Sequence, residues 1–115
     1  RKIYGLKFED EIEGIICIAY TNEVPHSVKE LDMMSELVHM KKQPHKIAIA
    51  YTVWSRKRGA GREIIQKVLD HAKAEGVERV VTLSPLTPMA THFHIRNGAK
   101  QISINDTTQN FEYEL

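Results

Sequence analysis

The stretch Ser55-Arg56-Lys57-Arg58-Gly59-Ala60-Gly61-Arg62 decides the fold, because it separates a β-rich run from a helical one. Upstream, His45-Lys46-Ile47-Ala48-Ile49-Ala50-Tyr51-Thr52-Val53-Trp54 is apolar enough for a central strand. Downstream, Ile64, Ile65, Val68, Leu69 and Ala72 recur at helical spacing, with Arg62, Glu63, Gln66, Lys67 and Asp70 between them on the wet face. A strand therefore runs into a two-glycine loop that opens a helix. The free N–H groups of a first helical turn and the helix dipole favour negative charge there, and glycine lets a ligand approach the backbone. Arg56, Lys57, Arg58 and Arg62 surround the place with positive charge, so a phosphate-bearing ligand is expected.

Spacing excludes two such ligand loops. The nucleotide-hydrolase loop needs Lys and then Ser or Thr after its last glycine, and here Gly61 is followed by Arg62 and Glu63. The dinucleotide fingerprint needs three glycines, and two are present. Composition narrows the class further. At 115 residues, 42% hydrophobic and a formal charge of +1, the sequence suits a single domain over residues 1–115, with no general case for nucleic acid or membrane. One cysteine, Cys17, excludes an internal disulfide framework and suits a reducing cytoplasm, and it reads as a buried, inert thiol. No apolar run is long enough to span a membrane, and no signal peptide is visible.

Lys2 to Phe8 and Gly14 to Tyr20 read as an antiparallel hairpin around the polar turn Glu9-Asp10-Glu11. Ser27 with Glu30 makes a capping box for a helix from Val28 to Met40, with Val28, Leu31, Met34, Leu37 and Val38 at helical spacing; Met33, Met34 and Met40 read as core filling ahead of the alternative, a partner or substrate groove. The helix that opens at Gly61 stops at Glu75 before Gly76, and the strand Val77 to Leu83 should lie parallel to Lys46–Trp54. Ser84 to Pro88 reads as a loop in which Thr87 caps a short helix, Met89 to Asn97; Ala99–Ile104 and Asn110–Leu115 form a closing hairpin. The fold class is α/β (α+β), a mixed central sheet with antiparallel hairpins at both ends.

The loop resembles the acetyl-CoA loop of the Gcn5-related N-acetyltransferase (GNAT) family, whose pattern of Gln or Arg, two residues, Gly, one residue, Gly or Ala is filled by Arg56, Gly59 and Gly61. A second motif agrees: Thr87, Ala90, Phe93-His94 and Gly98-Ala99 stand where the family carries Asn, Ala, Phe-Tyr and Gly-Phe. The resemblance runs from the family's second strand to its end, and the helix Val28–Met40 would stand in for the family's opening helices. It implies acetyl-CoA as cosubstrate, held between two parallel strands that splay apart around it. Val53 and Trp54 would pair with pantetheine. Arg56, Arg58, Gly59, Ala60, Gly61 and Arg62 would hold the pyrophosphate. The amine would attack the thioester directly, with His94 in the place of the family's tyrosine acid and Tyr51 on the strand that usually bears an acidic base.

The expected partner is a small-molecule or peptide amine acceptor, with no membrane, and a homodimer stays open. Two other readings stand beside the enzyme: a non-catalytic member of the same fold, structural or regulatory, and a nucleic-acid-binding module that uses the basic loop, which the near-neutral charge disfavours. His92 and His94, two apart on a helix, face different ways, so no metal site is expected.

Overall fold

In this computed structural model the described backbone covers residues 2–8, 11–41, 46–55 and 60–115, with side chains described at 14–40, 46–51 and 61–115. Strands β1 (Lys2–Phe8) and β2 (Glu11–Thr21) form the opening hairpin, and helix α1 (Val28–Lys41) follows. Strand β3 (Ile47–Ser55), helix α2 (Ala60–Glu75) and strand β4 (Arg79–Thr82) make the crossover unit, with β4 parallel to β3. Strand β5 (Ser84–Pro85), helix α3 (Pro88–Arg96), and strands β6 (Lys100–Ile104) and β7 (Thr108–Tyr113) complete the chain. The sheet runs β1-β2-β3-β4-β7, with β5 beside β7 on β4's side and β6 on the other.

Both faces of the sheet are covered, which is why the central strands read as continuous apolar runs instead of alternating ones. Successive residues split between two cores: Ala48, Ala50, Val80 and Ile18 meet Ile64, Ile65, Val68 and Ala72 of α2, with Phe111 and Tyr113. Ile47, Ile49, Val81 and Ala19 meet Leu31 of α1 on the opposite face. The wet face of α2 falls as expected, with Arg62, Glu63, Gln66, Lys67 and Asp70 all exposed. Gly76, at φ 78°, lets the chain turn off α2 as only glycine does cheaply.

Three expectations are corrected. Among the described residues of α1 only Leu31 and Val38 are buried, with Met34 half-covered. Val28, Leu37, Met33 and Met40 are 62%, 52%, 62% and 71% exposed, so Met33 and Met40 are not core filling. One helix laid on a sheet buries mainly the stripe that meets it, here the one centred on Leu31 and Val38. Ser84 and Pro85, read as loop, form β5 because β7 continues past β4 and offers them a partner edge. Cys17 is half-buried rather than enclosed.

Candidate active site

The site begins where the parallel pair parts. Ile47 to Ala50 of β3 pair with Arg79 to Thr82 of β4, and the last link is the Leu83 N–H donating to the Ala50 carbonyl at 2.9 Å. Beyond it, β3 stays with β2, Val53 opposite Ile16 and Trp54 opposite Ile15, while β4's line continues as β5 against β7. Two local features drive the strands apart. The register between β2 and β3 steps from Ile18↔Ala50 to Cys17↔Thr52, which makes Tyr51 the extra residue of a bulge, and a bulge bends and twists its strand. On the other side, side chains hold β4 to β7. The Thr82 hydroxyl accepts from the Phe111 N–H at 3.1 Å and from the Ser84 hydroxyl at 2.8 Å, and the Asn110 amide donates to the carbonyls of Thr82 at 2.8 Å and Pro25 at 2.9 Å. Thr82 and Asn110 are fully buried, so these bonds form in low dielectric and fix β4's path.

A cleft of about 690 Å³ adjoins the parting, walled by Ala50 and Tyr51 of β3, Leu83 between β4 and β5, Ser84 of β5, and Met89, His92, Phe93, His94 and Arg96 of α3. Helix α3 is aimed by its ends. The Thr87 hydroxyl accepts from the Ala90 N–H at 3.2 Å, Pro88 occupies the first turn, and Gly98 at φ 97° leads the chain away. Among the described residues lining the cleft there is no carboxylate.

His94 is 3% exposed and locked on three sides. Its Nδ1 lies 2.6 Å from the Tyr113 hydroxyl, its ring stacks on Phe111 with centroids 5.1 Å apart, and Phe93 meets it edge-on. Burial disfavours the imidazolium and pushes the His94 pKa down to about 4, so the ring is neutral at pH 7. The same burial raises Tyr113.

Of the residues read from the sequence, Tyr51 and His94 meet at this one cleft, from the bulge and from α3. Val53 and Trp54 lie on β3 past the last link to β4. Ala60 begins α2, Gly61 is buried in its first turn and Arg62 is exposed. Arg56, Lys57, Arg58 and Gly59 lie outside the described residues. The sequence reading missed Tyr113, Thr82, Ser84 and Asn110. Alternation through Gln109, Phe111 and Tyr113 places the two aromatics on one face, but no spacing ties that face to His94.

The sequence profile of the acetyltransferase (GNAT) family matches residues 2–99, and the chain belongs to that family, with acyl transfer as its general chemistry. The fold is similar to the loading GNATL domain of CurA from Lyngbya majuscula, at TM-score 0.72 and 17% identity over 97% of this chain and 75% of that one. An agmatine N-acetyltransferase aligns at TM-score 0.69 and 11% identity, over 98% of this chain and 76% of that one. An N-acetyltransferase from Staphylococcus aureus Mu50 aligns at 0.60 and 13%, over 96% and 69%. Comparison with curated protein sequences returns no match. Among the described residues no helix is long and apolar enough to cross a membrane.

Proposed function

We propose that the protein transfers an acetyl group from acetyl-CoA to an amine, by direct attack of the amine on the thioester. The observation that carries this reading is the parting of β3 from β4 after Ala50, beside the cleft that Tyr51 and His94 line. The edge of β3 from Val53 to Trp54 is no longer engaged by β4 and can pair with an extended pantetheine arm, while its N–H groups can stabilise the oxyanion. The pyrophosphate is assigned to the start of α2, where Ala60, Gly61 and Arg62 stand with the preceding Arg56, Arg58 and Gly59. With no carboxylate among the described lining residues, the amine's proton goes to water or to a relay through Tyr51, and most of the rate comes from positioning. The same observation favours a second reading, a member of the fold that binds the cosubstrate without turnover.

Thermal unfolding with and without acetyl-CoA tests the reading, since a ligand bound only by the folded chain stabilises it by about 2.7 kcal/mol at a hundred times its Kd. A rise in midpoint that Gly61→Asp and the exposed Arg62→Glu both diminish is the expected outcome. No rise at saturating acetyl-CoA overturns the reading, and a rise without turnover across an amine screen selects the non-catalytic one.

A further inference from the structure

We propose that Tyr113 sets the tautomer of His94, so that the imidazole presents its Nε2–H to the cleft as a hydrogen-bond donor to the thioester sulfur. The inference rests on the acyl-transfer reading above and adds a positioning residue to it.

Tyr113 is 3% exposed, and among the described residues the hydrogen-bond partner of its hydroxyl is His94 Nδ1 at 2.6 Å. A neutral imidazole carries one N–H and one acceptor nitrogen. If Nδ1 held the proton and donated to the tyrosine oxygen, the tyrosine's own proton would point into a core of Phe111 and neighbouring apolar side chains, where no second partner for it is found among the described residues. The hydroxyl therefore donates to Nδ1, and the ring proton resides on Nε2. Phe111 stacked against the ring and Phe93 at its edge fix the plane. Because His94 lines the cleft, Nε2–H is the polar group it offers there.

In the transfer, the amine nitrogen forms its bond to the carbonyl carbon, the C–S bond breaks, and its electron pair passes to sulfur. Nε2–H donates to the sulfur as that charge grows and keeps its proton. The proton lost by the amine goes to water, and the thiolate leaves to be protonated by solvent. His94 thus acts without changing charge, and Tyr113 acts only through His94.

Imidazole ¹⁵N NMR of the whole protein tests the first half without any turnover. The expected spectrum shows His94 as the Nε2–H tautomer, and Tyr113→Phe, which keeps the ring and removes the hydroxyl, shifts it toward a mixture. An Nδ1–H tautomer in the wild type overturns the proposal. Titration with acetyl-CoA, followed in parallel by thermal unfolding, should move the Nε2–H resonance; a thermal shift with that resonance unmoved overturns the donor role alone, whereas no thermal shift is the failure of the acyl-transfer reading. In turnover, Tyr113→Phe should lower kcat about tenfold with the KM for acetyl-CoA within about twofold, and an unchanged kcat overturns the proposal.

Discussion

His94 couples the site to the stability of the chain. Its folded pKa of about 4 lies below the unfolded value of 6.5, so between those limits the unfolded chain binds a proton that the folded one refuses. Stability is complete above pH 6.5 and falls as the pH drops toward 4, by up to about 3 kcal/mol in total. Urea unfolding of the wild type and of His94→Gln at pH 7 and pH 4.5 should show that acid loss shrinking in the variant; equal losses would sink the assignment. The identity of His94 as a candidate was legible in the motif around Phe93, yet its burial was not. A histidine in a short helix is ordinarily half-wet, and this one is enclosed because Phe111 and Tyr113 arrive from the last strand to join Phe93 around it.

At the scale of elements, α1 and α2 differ in how fully their periodicity was honoured. Helix α2 buries Ile64, Ile65, Val68 and Ala72 as its spacing predicts, since its apolar stripe is narrow and charges border it on both sides. In α1 the apolar positions spread over more of the circumference than one sheet can cover. Leu31→Ala should therefore cost about 2–5 kcal/mol and Leu37→Ala almost nothing, as measured by chemical denaturation. Comparable losses would mean that the flank of α1 is packed. Between β4 and β7, Arg79 grips Glu112 with two bonds at 2.8 and 2.7 Å, which lowers the Glu112 pKa. Both side chains are about a third exposed, so Arg79→Met should cost no more than about 1 kcal/mol, less at high salt.

Across the whole molecule, the cleft depends on a clamp that joins distant segments. Asn110 reaches both Thr82, at the last paired position of β4, and Pro25 in the loop before α1, while the Thr108 hydroxyl donates to the His26 carbonyl at 2.7 Å. Asn110→Leu leaves two buried carbonyls without that donor and should cost about 1–3 kcal/mol each at most. The acetyl-CoA-dependent rise in unfolding midpoint should diminish in the same variant, because the strand that bounds the cleft loses its anchor. A full rise in a destabilised Asn110→Leu protein would separate the clamp from the site.

What the sequence determined by itself was local: period-two and helical patterns, the Ser27–Glu30 and Thr87 caps, the glycines after α2 and α3, and a basic two-glycine loop between strand and helix. Those depend on neighbours within a few residues, whose chemistry is visible in order along the chain. The bulge at Tyr51, the short strand at Ser84, the exposed methionines of α1 and the enclosure of His94 by Tyr113 were decided by tertiary structure. Each depends on which distant segment arrives alongside, and burial, register and proton position follow from that contact alone.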